Sequence, residues 1–138
     1  MTELEVLIQE IYEIRQLNWL NYNEQEQETL NEKFMTFKHD AENAISMVTE
    51  LNELERIINF EQEKFFMPID TMFKVHQKRI ELSPKQLQSY EQFAHYLLWY
   101  GPDWEIKATQ ILKCVEIKDF NQAQHFSKGI TYETNGKL

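Results

Sequence analysis

The 138-residue chain contains 23 acidic and 14 basic side chains, and its formal net charge is −9. A hydrophobic share of 42%, with nine Phe, six Tyr and three Trp, excludes an intrinsically disordered chain, and the length is typical of one domain. No apolar run reaches the roughly 18 residues that a membrane span requires, and residues 1–10 lack the basic start of a signal peptide, so we expect a cytoplasmic protein.

Two helix starts are predicted in the N-terminal quarter of the chain. Thr2 can cap the backbone amide of Glu5, and Glu5 can reach back, as in a capping box. Asn23 is the second predicted cap, because acidic residues follow it in the first turns, where the helix dipole favours anions. Between the two caps, apolar residues recur every three or four positions, which predicts one buried stripe on the first helix.

Residues 23–66 are predicted to form one long helix, because no glycine or proline interrupts them. Apolar residues recur there in alternating steps of three and four, a series we call the seam. The seam consists of Leu30, Phe34, Phe37, Ala41, Ala44, Val48, Leu51, Glu55 and Ile58. This spacing fits either a helix packed within a bundle or an intermolecular coiled coil, and an exposed seam would favour a homodimer. Its one acidic member, Glu55, would either rotate outward or require a basic partner from another helix.

The C-terminal half is predicted to contain shorter helices, because three prolines divide it. We therefore expect an all-α bundle of about five or six helices, in which a compact, aromatic C-terminal half packs on the long central helix. Residues 1–128 are predicted to form its single domain. Residues 129–138 are predicted to be a polar, frayed tail.

An aromatic corner is expected where Trp99, Tyr100 and Trp104 surround the pair Gly101 and Pro102. Glycine after one helix and proline at the start of the next are typical of a tight turn between helices. The three rings are interpreted first as a structural corner that buries apolar area. They are also the alternative partner-binding site, since Trp and Tyr often dominate the energy of protein interfaces.

Acidic side chains are concentrated in the first half of the chain. Residues 1–66 hold 15 acidic and 5 basic side chains, whereas residues 67–138 hold 8 and 9. In the frame of the long helix, Glu42, Glu50 and Glu53 fall on the outer face. Such a face repels nucleic acid and anionic lipid, so we predict that the protein binds neither directly. It favours a basic protein partner, although a purely solvated face would show the same pattern.

No catalytic or metal-binding signature is present in the sequence. It lacks a glycine-rich phosphate loop, G-x-S-x-G, H-E-x-x-H and C-x-x-C. His39, His76, His95 and His125 fall on separate predicted helices without the Glu-x-x-His spacing of di-iron bundles. His76 lies on an apolar stripe, where a lone histidine is usually a hydrogen-bonded core residue. The single cysteine, Cys114, excludes an internal disulfide and a thiolate cluster.

The predicted function is non-enzymatic protein binding without a cofactor. An inhibitor, an immunity-type protein or an adaptor would hold a basic protein partner on the acidic face of Glu42, Glu50 and Glu53. The alternative within this class is a mimic of nucleic acid that blocks a DNA- or RNA-handling enzyme. A helical metal-binding protein or enzyme is a further alternative, less favoured because the sequence shows no ligand set for it.

Overall fold

The computed structural model describes residues 2–17, 19–64, 67–99 and 104–131, with the side chain of Trp19 excepted. Within these ranges the chain forms seven α-helices, one short 3₁₀ turn at Trp19–Asn21 and no strand, so the all-α prediction is confirmed. The helices are α1 (Glu3–Arg15), α2 (Glu24–Ser46), α3 (Leu51–Lys64), α4 (Ile69–Leu82), α5 (Leu87–Trp99), α6 (Glu105–Glu116) and α7 (Phe120–Lys128). None of these helices is long and apolar enough to cross a membrane.

Both predicted N-terminal caps are confirmed. The Thr2 hydroxyl accepts from the backbone amide of Glu5 at 3.2 Å. The Asn23 side chain accepts from the amide of Glu26 at 2.8 Å, and the Glu26 carboxylate accepts from the amide of Asn23 at 3.2 Å. Each cap satisfies amides that lack a partner in the first helical turn, which is why these local sequences fix where α1 and α2 begin.

The helix predicted over residues 23–66 is in fact two helices, separated by residues 47–50. At the end of α2, the amides of the two residues after Ser46 donate to carbonyls three residues back at 3.1 Å, so the last turn tightens. The Ser46 hydroxyl donates to the Asn43 carbonyl at 2.6 Å, a bond that competes with the helical ladder. At the break Val48 is buried, whereas the side chain of Met47 is 79% exposed.

Most of the seam is covered within the chain. Its buried members are Leu30, Phe37, Ala41, Ala44, Val48 and Ile58. They are covered because α2 packs on α1 and α4, and α3 packs on α4. The homodimer prediction depended on an exposed seam, so this arrangement removes its main support, and the oligomeric state stays a prediction.

α4 is the central helix because its residues enter two hydrophobic clusters. Met72 and Val75 belong to the first cluster, which α1, α2 and α3 supply. Phe73 and Ile80 belong to the second cluster, which α5, α6 and α7 supply. The aromatic C-terminal half therefore packs on the N-terminal half through α4.

The chain beyond α7 stays in contact with the second cluster for at least a few residues. Ile130 is buried in that cluster, and its carbonyl accepts from the Gln77 side-chain amide at 2.6 Å. The same amide donates to the Ser127 carbonyl at 2.9 Å. The remainder of the tail predicted over residues 129–138 lies outside the described residues from position 132 onward.

Candidate binding surfaces

The outer acidic face of α2 is partly neutralised by α4. The side chain of Glu42 is 61% exposed, and its carboxylate lies 3.6 Å from the ammonium of Lys74. A second pair joins Lys38 of α2 to Asp70 of α4 at 3.0 Å. Glu50 is exposed in the segment between α2 and α3. Two of the three predicted acidic-face residues are therefore accessible, and Glu42 already has a basic partner.

Glu53 does not lie on an outer face, and that part of the sequence interpretation is wrong. The residue is 7% exposed, and its carboxylate accepts a hydrogen bond from the Thr2 hydroxyl. The break at residues 47–50 ends the continuous helical phase on which the outer assignment depended. In α3, the carboxylate of Glu53 is directed at the start of α1, where it joins the two helices.

Reversing the charge of Glu53 should destabilise the fold far more than reversing that of Glu42. Glu53→Lys should lower the free energy of unfolding by about 3 kcal/mol, because it removes the acceptor for Thr2 and buries an ammonium. Glu42→Lys should cost no more than about 1 kcal/mol, since it removes one exposed ion pair. Urea unfolding of the two variants measures the difference, and equal losses would show that Glu53 is not held against α1.

The aromatic corner is not one exposed surface. Trp99 is 70% exposed at the end of α5, whereas Trp104 is 5% exposed. The Trp104 ring lies 5.2 Å from the Phe73 ring at 87°, an edge-to-face contact within the second cluster. Tyr100 and residues 101–103 lie outside the described residues. Of the rings predicted as an alternative partner-binding site, Trp104 is a core residue and Trp99 is accessible.

Glu55 is rotated partly outward, with its side chain 37% exposed while Leu54 is buried, and it also has a basic partner from another helix. Its carboxylate lies 3.9 Å from the guanidinium of Arg79, a buried residue of α4. Arg79 also donates to the side-chain carbonyl of Gln92 on α5. Burial lowers the pKa of Arg79, and the carboxylate of Glu55 opposes that effect. This ion pair and hydrogen bond link α3, α4 and α5 beside the apolar clusters.

A groove between α1 and α2 was not predicted from the sequence. Its volume is about 770 Å³. Its floor is apolar and consists of Leu7, Ile11, Ile14, Leu17 and Phe37. Acidic side chains from both helices stand around this floor, namely Glu10, Glu13, Glu32 and Asp40, together with Lys33. We call it the acid-rimmed groove.

The four carboxylates of the acid-rimmed groove form no ion pair with any described basic side chain. The charge difference between the two halves of the sequence predicted an acidic surface on the first helices, and the four carboxylates of the groove lie on α1 and α2. The groove itself could not be predicted in this way. The periodicity of a helix shows which of its residues face inward, but it does not show which other helix they pack against.

A second concavity lies between α3, α4 and α5, and we call it the His76 pocket. Its volume is about 320 Å³. It is lined by Ile58, Glu61, Gln62, Met72, His76, Gln92, His95, Tyr96 and Trp99. The lining combines apolar and aromatic side chains with a few polar groups, a composition typical of small-molecule sites.

His76 is the unusual residue of this pocket. It is 1% exposed, and its ring is stacked on Phe93 with centroids 5.3 Å apart and planes at 13°. Burial, with a smaller contribution from the charge of Arg79, lowers the pKa of His76 to about 3. The ring nitrogen Nδ1 has no hydrogen-bond partner among the described residues. The predicted burial is thus confirmed, but the expected hydrogen bonding is missing at this nitrogen.

Glu61 is the acidic residue of the pocket. It is buried at the C-terminal part of α3, and both of its carboxylate oxygens accept from the backbone amide of Met67, at 3.2 and 2.8 Å. These bonds fix the carboxylate in position. Among the described residues, no Lys or Arg lines the pocket itself, but Arg79 lies close by, since its charge acts on His76 and it donates to the lining residue Gln92.

The described side chains that could bind a metal ion or act as a nucleophile do not lie together. Within the described ranges, no group of three or more His, Cys, Asp or Glu side chains is arranged to bind a metal ion. Cys114 is buried, and burial, with a contribution from Asp119, raises the pKa of its thiol. No described cluster therefore combines an activated nucleophile with a base.

Comparison with known proteins gave no match: no family model, no curated protein and no solved structure proved similar to this chain. Functional inference rests on the groove and the pocket alone.

Proposed function

We propose that this is a non-enzymatic binding protein, of the inhibitor, immunity-type or adaptor kind, that holds a basic protein partner in the acid-rimmed groove. The observation that carries the proposal is the combination of an apolar floor with four carboxylates that have no ion pair among the described residues. The proposal keeps the acidic surface expected from the sequence but places its centre on α1 and α2 together, with Glu42 and Glu50 outside the groove.

Charge complementarity sets the kind of partner. Elsewhere on the described surface, carboxylates such as Glu42 and Asp70 are already paired with lysines. The groove instead presents Glu10, Glu13, Glu32 and Asp40 against one lysine, Lys33. Unpaired acidic groups around a binding surface accelerate the approach of a basic partner and reject acidic ones.

The apolar floor sets the form of the bound segment. Leu7 and Ile14 of α1, and Leu17 just after its end, are at least partly accessible beside the buried Ile11 and Phe37. A groove between two packed helices suits a third, amphipathic helix, whose apolar side covers the floor while its basic side faces the rim. We therefore propose that the partner presents an amphipathic helix with Lys or Arg beside its apolar stripe.

A synthetic peptide provides the first test. The probe is an amphipathic helix of about 18 residues with Leu on one face and Lys on the other, and the matched peptide carries Glu in place of Lys. The Lys peptide should bind with an affinity that falls as salt is added, because exposed charges are screened within about 8 Å at physiological ionic strength. Titration calorimetry at low and high salt measures this, and the Glu peptide should not bind.

Two sets of substitutions with the same charge change separate the groove from net charge. Changing Glu10, Glu13 and Glu32 to Gln and Asp40 to Asn should weaken binding of the Lys peptide by at least about tenfold. The control changes four exposed acidic residues outside the groove to Gln, namely Glu24, Glu28, Glu50 and Glu63. It should keep most of the affinity. Equal losses in the two sets, or no binding of the Lys peptide to the native protein, would contradict the proposal.

A further inference from the structure

We propose that the His76 pocket is a second binding site, and that it takes a small neutral phenol with two fused rings. The hydroxyl of the ligand would form a hydrogen bond with Nδ1 of His76, and its rings would lie between the buried base of the pocket and Trp99. The inference does not rest on the acid-rimmed groove, because none of the residues that line the groove lines the pocket.

The pocket has a buried base and an open mouth. Its buried lining residues are Ile58, Glu61, Met72 and His76. Its exposed lining residues are Gln62, His95 and Trp99. The ring of Tyr96 lies beside that of His76, with centroids 5.0 Å apart and planes at 38°, so aromatic surface extends to the base. A flat apolar ligand would enter beside Trp99 and cover Ile58 and Met72.

The volume sets the size of the ligand. A cavity of about 150 Å³ lined by apolar side chains is enough to bind benzene in another protein. The His76 pocket, at about 320 Å³, has about twice that volume. It therefore has room for two fused rings, whereas a longer ring system would extend past Trp99 into solvent.

His76 supplies the independent sign that a polar ligand group is missing. Its ring is buried and Nδ1 has no hydrogen-bond partner among the described residues, an arrangement with a desolvation cost that native proteins usually avoid. His76 is neutral at pH 7, because burial lowers its pKa to about 3. A neutral imidazole has one donor and one acceptor nitrogen, and a hydroxyl pairs with either. The other such buried atom in the described ranges, Nε of Arg79, belongs to a residue outside the pocket lining.

Nδ1 is closed to water, so a neighbouring side chain has to rotate before a ligand reaches this atom. Met72, Gln62 and Gln92 line the pocket with unbranched side chains, each of which has several staggered rotamers. We therefore expect rotation of one of these side chains, without movement of a helix, to admit the hydroxyl.

The charges near the pocket disfavour a charged ligand. Glu61 is in the lining, and its carboxylate is held by the backbone amide of Met67. Arg79 lies close by, since its charge acts on His76 and it donates to the lining residue Gln92. An anion would be repelled by Glu61 and a cation by Arg79, and both of these groups already have contacts within the chain. A neutral ligand loses no hydration of a charge when it enters, so it avoids this cost.

Four naphthalene derivatives that differ in one substituent test this assignment. They are 2-naphthol, 2-methylnaphthalene, 2-naphthoate and 2-naphthylmethylamine, titrated into the isotope-labelled full chain at pH 7 with amide chemical shifts as the readout. 2-Naphthol should bind about fivefold more tightly than 2-methylnaphthalene, because a methyl group fills the same space without the hydrogen bond. The anion and the cation should each bind at least about tenfold more weakly than 2-naphthol. Absence of saturable 2-naphthol binding, or equally tight binding of any of the other three, would overturn the proposal.

Variants of the native chain locate the site. His76→Leu should still bind 2-methylnaphthalene but should lose the preference for 2-naphthol, a readout that a purely structural role of His76 would not change. Trp99→Ala should weaken binding of 2-naphthol severalfold, whereas Ile117→Ala, a similarly exposed truncation outside the pocket, should leave binding unchanged. If His76→Leu keeps the preference, or if Trp99→Ala and Ile117→Ala bind alike, the ligand lies elsewhere and the site is wrong.

The variant set also keeps this inference separate from the proposed function. The fourfold change of the acid-rimmed groove should bind 2-naphthol like the native protein, and Trp99→Ala should bind the Lys peptide like the native protein. Loss of both ligands in either variant would show that one site had been mistaken for two, and would overturn the assignment of an independent pocket.

Discussion

Acidification should destabilise the native protein several kcal/mol more than it destabilises the His76→Leu variant. Leu has nearly the volume of His and no titratable group, so it keeps the stacking position on Phe93 filled. At pH 7 the variant should be at least as stable as the native protein, because it removes a buried polar atom that has no hydrogen-bond partner. The stability advantage of the variant over the native protein should increase as the pH falls.

The direction follows from the pKa of His76 in the two states. Unfolded histidine has a pKa near 6.5, whereas burial lowers the pKa of folded His76 to about 3. Between these values the unfolded chain binds a proton that the folded chain does not. The contribution is therefore fully present above about pH 6.5 and is lost as the pH falls towards 3. At about 1.4 kcal/mol per pH unit, the loss reaches on the order of 3 kcal/mol by pH 4.

The groups around His76 do not reverse this direction. Arg79, on the same helix, opposes protonation of His76. Glu61 from α3 and His95 from α5 line the same pocket. With these groups in place, burial and the charge of Arg79 hold the folded pKa of His76 far below 6.5.

Urea unfolding at pH 7, 5.5 and 4 measures the effect. Other carboxylates also titrate in this range, so the quantity of interest is the native protein minus His76→Leu at each pH. His39→Leu is the control, because His39 is exposed on α2 and its loss should leave the acid slope of the native protein unchanged. Parallel slopes for the native protein and His76→Leu would show that His76 is solvated or protonated in the folded state.

Local signals in the sequence predicted the parts of the fold that depend on local contacts. The starts of α1 and α2 were correct because Thr2 and Asn23 bond amides only three residues away. The break between α2 and α3 was missed because the apolar spacing continues through it, although Ile58 is the one seam residue of α3 that is buried. The misplacement of Glu53 follows from that single error, since a turn of the chain resets which residues face outward.

Each candidate site is formed by side chains from more than one helix. The sequence pattern of a single helix therefore does not reveal it. In the sequence, Glu10 and Glu32 are indistinguishable from other surface residues. They lie around one groove only because α1 and α2 pack side by side. The burial of His76 followed from its apolar stripe, but the missing partner of Nδ1 depends on which side chains α3 and α5 bring to it. The difference in net charge between the two halves of the chain could be read from the sequence, because counting charged residues requires no knowledge of which residues are in contact.

Phe73→Ala should be the most damaging single truncation in the second cluster, with a loss of about 3 to 5 kcal/mol. The Phe73 ring contacts three others edge to face: Phe93 at 5.8 Å and 73°, Tyr96 at 6.0 Å and 80°, and Trp104 at 5.2 Å and 87°. Its removal leaves a cavity beneath them and ends favourable ring contacts, each of which contributes about 1 kcal/mol beyond buried area. Ile106→Ala, an exposed truncation on α6, should change stability by no more than about 0.5 kcal/mol.

The same variant tests whether the described chain is one cooperative unit. Phe73 belongs to the second cluster, while its neighbour Met72 belongs to the first. Because both residues are on α4, a loss of packing in one cluster should also destabilise the other. Thermal unfolding of Phe73→Ala should therefore stay a single transition at lower temperature, with amide protons of α1 and α5 losing protection together in hydrogen exchange. If α5–α7 exchange freely while α1–α3 stay protected, the two clusters fold separately and the single-domain prediction for residues 1–128 is wrong.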